Sequence, residues 1–204
     1  MIRMNIKEVL EDRRITSLYH FTRVENLESI LNYGLLARTS LDNNNIYYKS
    51  NDSKRYDNHL NAVCVSISFP NYRMFYSYSK YRRDDWCVME IDPRILYEKE
   101  CLFCIENGAS SNERRKDDNN KKGVNALEKL FYDDHYRKSV NLESEMPTNP
   151  QSEVLVLNKI ETENIKSINF YTDDPNFNIY EYPDYDFFED KELFKYRDDY
   201  ENWR

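Results

Sequence analysis

At 204 residues, with 40% hydrophobic and 15% aromatic content, the chain can bury a core of its own, and eighteen Tyr with ten Phe exclude disorder throughout. Only Gly34, Gly108 and Gly123 occur, so neither G-x-G-x-x-G nor G-x-x-x-x-G-K-[ST] can be written, which disfavours Rossmann dinucleotide and P-loop folds. The net charge of -8 is concentrated at the end: residues 171–204 hold 11 acidic and 4 basic side chains, whereas residues 1–80 hold 11 basic and 8 acidic, so the front of the chain can still face a polyanion.

In chain order, residues 17–21 (Ser-Leu-Tyr-His-Phe) predict a short buried strand. Thr22 and Glu25 have capping-box spacing, Leu27, Ile30 and Leu31 recur at helical spacing, and Gly34 supplies the stop. Residues 38–61, polar and Asn-rich, predict a long loop. Residues 62–69 predict a strand ended by Pro70. Residues 86–91 predict another, followed at Asp92-Pro93 by a short helical turn carrying Ile95 and Leu96. A third strand is expected over 100–105, a mobile charged loop over 107–122, a helix over 124–132 and a second loop over 139–151. Residues 153–157 predict a strand, 160–170 another, and 191–203 a final helix. No repeat or linker divides the chain, so one domain over 1–204 is expected, with 171–204 as an acidic extension. Strands separated by irregular loops, with helices gathered toward the front, give an α+β class.

The chemistry is constrained by what is scarce. Cys64 and Cys87 lie in apolar runs and read as small buried hydrophobes; Cys101 and Cys104 have C-x-x-C spacing, but no second pair or nearby His completes a zinc set. With three histidines, no H-E-x-x-H and no D-x-D-x-D-G, no metal site is expected. Residues 1–10 have no apolar signal segment and no run reaches membrane-spanning length, which predicts a cytoplasmic protein with no membrane association.

Some polar residues occupy strand positions that a plain core would leave apolar. His20 and Thr22, two apart, share one face of an extended chain, and Gln151 and Glu153 repeat that spacing. Taken singly, His20 reads as a satisfied core histidine, Glu153 as an edge residue meeting solvent and Arg55 as a solvated loop arginine.

Taken together they resemble a family. Leu18-Tyr-His-Phe-Thr22, then Asn26-Leu27, Ile30-Leu31 and Gly34-Leu35, with the middle block 66–75 (Ser-Ile-Ser-Phe-Pro-Asn-Tyr-Arg-Met-Phe) and the late 150–156 (Pro-Gln-Ser-Glu-Val-Leu-Val), resemble the DarT DNA ADP-ribosyltransferases over roughly residues 15–170. The resemblance implies a split mixed or antiparallel sheet with helices packed on it. It implies NAD+ as co-substrate, single-stranded DNA as acceptor, and a macrodomain antitoxin partner that removes the mark. Carried over by position, Glu153 is the catalytic carboxylate and Arg55 positions NAD+ and polarises the target base. His20, Phe21, Thr22, Asn26 and Met74 form the NAD+ pocket, and Gln151 contributes to substrate recognition. The loop before Glu153 is where such enzymes recognise the acceptor, so Arg114, Arg115, Lys116, Lys121 and Lys122 are candidate phosphate contacts, with Tyr132 and Tyr136 as stacking partners; the loop's own acidic residues also allow it to be a solvated insertion. The thymine-modifying branch has Phe-Tyr-Phe-x-Pro-Arg-Ser before its Met, whereas this chain has Ser-Ile-Ser-Phe-Pro-Asn-Tyr-Arg-Met, which implies guanine as the base. The chemistry would also suit transfer to RNA or protein, and the Tyr-rich, basic front of the chain would suit a non-catalytic nucleic-acid-binding module.

Overall fold

A computed structural model describes residues 5–50 and 59–203. In chain order these form α1 (Ile6–Arg13), β1 (Leu18–Arg23), α2 (Leu27–Tyr33), β2 (Leu35–Leu36), α3 (Arg38–Asn43), β3 (Ala62–Ile67), α4 (Tyr72–Ser79), β4 (Trp86–Ile91) and α5 (Ile95–Glu98). There follow β5 (Cys101–Cys104), α6 (Ser111–Arg115), α7 (Val124–Glu128), α8 (Asp134–Ser139), β6 (Glu153–Leu157), β7 (Lys159–Ile160), β8 (Ile165–Phe170) and β9 (Asp186–Glu189). Seven strands make one mixed sheet in the order β5-β6-β3-β1-β4-β8-β9, and β2 pairs with β7 separately. Helices and turns cover the sheet, so the class is α+β as expected.

The strands read as nearly unbroken apolar runs because both faces of the sheet are covered. Cys87, Met89 and Ile91 of β4, with Val63, Val65 and Ile67 of β3, pack into the main core with Val9 and Leu10 of α1, Leu27, Ile30 and Leu31 of α2 and Ala126 and Leu127 of α7. On the opposite face Trp86 and Val88 meet Phe75 and the C-terminal Leu193 and Phe194, while Leu102, Cys104, Ala62 and Leu155 form a third cluster. Burial pushes the Cys101 and Cys104 thiols up to about 12 and raises that of Cys87 as well, as suits reduced core thiols.

The sheet is split at its centre. β1 pairs with β4 along all six residues but with β3 only at Leu18↔Ile67 and Tyr19↔Ser66. Beyond Tyr19 the two strands part, and on that side no described strand pairs with residues 20–23, where a cleft opens. This divergence positions the site.

Several expectations are corrected. The strand at the front continues through Thr22 and Arg23 because β4 pairs with both, so the capping box does not form; a 3-10 turn, Val24–Asn26, leads into α2 with no side-chain cap. Gly34 does end α2, with φ of 83°, and a Cβ there would lie 2.4 Å from the Ile160 carbonyl oxygen. The 38–61 loop begins with a helix, α3. The 107–122 segment is not a bare loop, since it contains α6 and a 3-10 turn, Asp118–Lys121. The expected strand 160–170 is two strands separated by a turn, and the helix expected over 191–203 is a pair of 3-10 turns, Glu192–Phe194 and Tyr200–Trp203. Helices continue as far as Ser139, so they are not confined to the front. The acidic end supplies β9, which pairs parallel to β8.

Candidate active site

The cleft between the parted strands is a cavity of about 200 Å³ lined by residues from β1, α2, α3, β3, α4 and the start of β6. Alternation along β1 places His20 and Thr22 on one face of the sheet and Phe21 on the other, as their spacing predicts. His20, Phe21, Thr22, Asn26, Met74 and Glu153 all line this one cavity.

His20 spans the split: its Nδ1 lies 2.8 Å from the Cys64 carbonyl oxygen on β3. A carbonyl only accepts, so Nδ1 carries a proton and is the donor in this contact. Phe21 turns the other way and stacks on Phe75 of α4 at 4.7 Å, with Trp86 behind both, which fixes α4 against β1. The Thr22 hydroxyl accepts from Asn26 Nδ2 at 2.9 Å. That amide also donates to the Lys49 carbonyl at 3.1 Å, while Asn26 Oδ1 accepts from the Lys49 amide at 2.7 Å. Asn26 therefore acts as a peptide mimic that pins the segment around Lys49 to the cavity wall.

Glu153 opens β6 opposite Cys104 and is 5% exposed. Its Oε1 accepts from Asn107 Nδ2 at 2.8 Å and Asn71 Nδ2 at 3.4 Å, and its Oε2 from the Gly108 amide at 2.9 Å. These donors hold the carboxylate's position from three sides. Asn71 is itself fixed: its amide donates to Ser66 Oγ at 3.2 Å and its Oδ1 caps α4 through the Met74 amide at 3.3 Å. Asn107 and Gly108 are held less directly. Glu113, 0% exposed, accepts from the amides of Ile105 and Glu106 at 3.0 and 3.3 Å and from Lys116 Nζ at 2.7 Å, while its Oε2 has no hydrogen-bond partner among the described residues. A buried charge thus anchors the turn that carries two of the donors to Glu153.

The other predicted residues are placed as follows. Arg55 lies outside the described residues. Gln151 is half-buried in the turn before β6, so it does not share a strand face with Glu153. Lys121, expected on an exposed loop, is 3% exposed and paired with Asp118 at 3.0 Å, which removes it from any surface a strand could touch. Lys122 is tied to Glu100 and Lys116 to Glu113. Arg115 folds back onto the Ser111 carbonyl and Asn112, and Arg114 is exposed. None of these five lines the cavity. Tyr132 is exposed, whereas Tyr136 is engaged with Asp199 and Trp203.

Sequence reading missed Asn71, Asn107, Gly108 and Glu113. Pro70-Asn71 before an amphipathic run is a helix-start signal, and Asn107-Gly108 is a turn signal; nothing in the sequence marks Glu113 as buried. It also missed a clasp on the loop before Glu153. Arg197, buried, donates to the carbonyls of Pro147 and Thr148 at 2.8 and 3.1 Å and forks onto Asp199 at 2.6 and 2.7 Å. Tyr136 and Trp203 complete the Asp199 site at 2.9 and 3.0 Å, and Arg137 donates to the carbonyls of Glu143, Ser144 and Met146. Among the described residues no group of three or more His, Cys, Asp or Glu is placed to hold a metal ion, and no helix is long and apolar enough to cross a membrane.

No curated protein matches the chain in sequence. Three solved structures share its fold. Thermosipho africanus DarTG in complex with ADP-ribose has a TM-score of 0.66 at 14% identity over 88% of this chain, which spans 51% of that one. Thermus sp. 2.9 DarT gives 0.56 at 16% identity in complex with NAD+ (88% of this chain, 98% of that) and 0.61 at 14% in complex with ADP-ribosylated ssDNA (89% and 97%). Residues 19–182 match the sequence profile described as "ssDNA thymidine ADP-ribosyltransferase, DarT", well over half the chain, and the chain therefore belongs to the DarT family of ADP-ribosyltransferases.

Proposed function

We propose that the chain transfers ADP-ribose from NAD+ to a base of single-stranded DNA, releasing nicotinamide, with guanine favoured over thymine, and that it acts as a toxin whose partner is a macrodomain antitoxin. The observation that carries this reading is the fixed Glu153 carboxylate in the same cleft as His20 and the open edge of β1. Breaking the nicotinamide–ribose bond builds positive charge at C1′, and a carboxylate beside it stabilises the transition state more than the bound substrate. As a base nitrogen bonds to C1′ and nicotinamide leaves, Glu153 can take the proton that nitrogen sheds. The His20 ring, held at Nδ1 by the Cys64 carbonyl, suits hydrogen bonding to a ribose hydroxyl, and the backbone at Phe21, on the edge left by β3, suits a carboxamide. Arg38 and Lys49, at the cavity wall, offer positive charge to a pyrophosphate.

Asn71 supports the guanine preference. It follows Pro70 where the thymine-modifying pattern has Arg, so the group beside Glu153 is a neutral amide and not a cation. NAD+ labelled in its adenylate half, incubated with oligonucleotides containing one G or one T, with RNA and with cell lysate, tests the whole reading. Label on G-containing ssDNA is the expected result. Label on T corrects the base, label on RNA or protein corrects the acceptor, and binding without nicotinamide release refutes catalysis. Co-expression with a macrodomain hydrolase should relieve toxicity if the partner is assigned correctly.

A further inference from the structure

We infer that the DNA flanking the target base runs along α4 and the turn after it, not along the basic loop 114–122. This rests on the proposed acceptor being a single strand. Three of the loop's five cations are already committed to ion pairs, and Lys121 is buried. Residues 72–83 hold four basic and no acidic side chains together with four Tyr, in a chain of net charge -8; of the four, Arg82 is paired with Asp85. The helix starts at the reaction centre, since Asn71 caps it and touches Glu153. Met74 and Tyr78, four apart and so on one helical face, line the cavity, and Tyr81 continues that spacing where the helix ends.

Beside this line Arg73, Ser77 and Lys80, at i, i+4 and i+7, are all exposed, and neither cation is ion-paired with a described residue. Tyr81 is 86% exposed, and the Lys80 ammonium lies 4.7 Å from its ring centroid. An exposed aromatic ring flanked by unpaired cations is the arrangement that binds single strands, with bases stacked on rings and phosphates near ammonium and guanidinium groups. From Asn71 to Tyr81 the rise is about 15 Å, room for a few nucleotides leading from Glu153.

The test uses a labelled mixed-sequence twelve-nucleotide single strand, with affinity measured by anisotropy across a salt series. The variants are Arg73→Gln with Lys80→Gln, Tyr81→Ala, and Arg114→Gln with Arg115→Gln. Losing two phosphate contacts should lower the slope of log affinity against log salt by about 1.4 in the first. Losing one stacked base should weaken binding about tenfold in the second. The third should match the parent, and all three should keep parental NAD+ affinity, since none of these residues lines the cavity. A parent that modifies ssDNA while the α4 variants keep its slope and affinity overturns the α4 path alone. A parent that neither binds nor modifies ssDNA overturns the path together with the proposed acceptor.

Discussion

Glu153→Gln separates the chemical role of the carboxylate from its structural role, because it keeps the volume and removes the charge. The Gly108 amide cannot turn over, so the new carbonyl oxygen must face it, and the new NH2 then faces Asn107 Nδ2 and Asn71 Nδ2 where Oε1 accepted at 2.8 and 3.4 Å. Asn107 could flip to accept, but its Oδ1 already takes the Ala109 amide at 2.9 Å, and the Asn71 Oδ1 caps α4. Whichever amide turns, a net two hydrogen bonds are lost, one of them long, together worth about 1–3 kcal/mol. For a chain of this size that lowers Tm by about 2–4 °C per kcal/mol. Turnover should fall much further, by about 10²–10³, since one electrostatic stabiliser of the transition state is gone. Differential scanning fluorimetry gives the first quantity, label transfer to ssDNA the second, and calorimetry should show NAD+ still binding. A variant that turns over within tenfold of the parent refutes the role of Glu153.

Three other predictions use different parts of the structure. His20→Ala should raise the NAD+ dissociation constant by about 2–13-fold, the worth of one hydrogen bond, and an unchanged calorimetric affinity would leave His20 as a brace between β1 and β3 only. Arg197→Met leaves the Asp199 carboxylate buried without its fork, so it should cost about 3–5 kcal/mol in urea unfolding; a loss below about 1 kcal/mol would show that the clasp contributes little. Burial alone would raise the Asp199 pKa, but the Arg197 hydrogen bond and charge, with Tyr136 and Trp203, outweigh it and hold the carboxyl below its usual range. A depressed folded pKa gives stabilisation that is present above the unfolded value of about 3.9 and lost as pH falls through the folded one. Trp203 fluorescence should therefore be flat from neutral pH to about 4 and change only below it, and a transition centred above pH 5 would contradict the assignment.

The strands were legible because their residues are largely buried on both faces, so 62–67, 86–91 and 153–157 are apolar runs broken in each case by one polar residue, Ser66, Glu90 or Glu153. His20 and Glu153 are polar residues in such strands, which taken singly read as a satisfied core histidine and an edge carboxylate and became candidates only through the family resemblance. Local signals failed where tertiary pairing outranked them: Thr22 has the spacing of a cap but is held in β1 by Cys87 of β4. The α4 helix was hidden by its composition, since four of its eight residues are Tyr or Phe at spacings that also suit strands. The charged stretch 107–122 reads as solvated because sequence cannot show that Glu113 folds inward, and the roles of Arg197 and Asp199 depend on partners some fifty residues earlier.

The parting of β1 from β3 accounts for how these pieces combine. Ladder hydrogen bonds given up beyond Tyr19 leave polar backbone at the centre of the sheet, where an unpartnered group is costly, and His20 recovers one of them by donating to the Cys64 carbonyl. The opening is therefore lined by strands whose other sides are buried, so His20 and Glu153 are positioned by the core itself. The connections that lead into β6 are different: the turn 105–108 hangs on Glu113, itself paired with Lys116, and the loop 143–149 on Arg137 and on Arg197, itself forked onto Asp199. Loss of one such charge loosens a whole segment while leaving the strands in place. Substitutions at Arg137 or Arg197 should therefore loosen the loop that leads into Glu153 while sparing the strands, whereas substitutions that close or widen the split should alter the cavity itself.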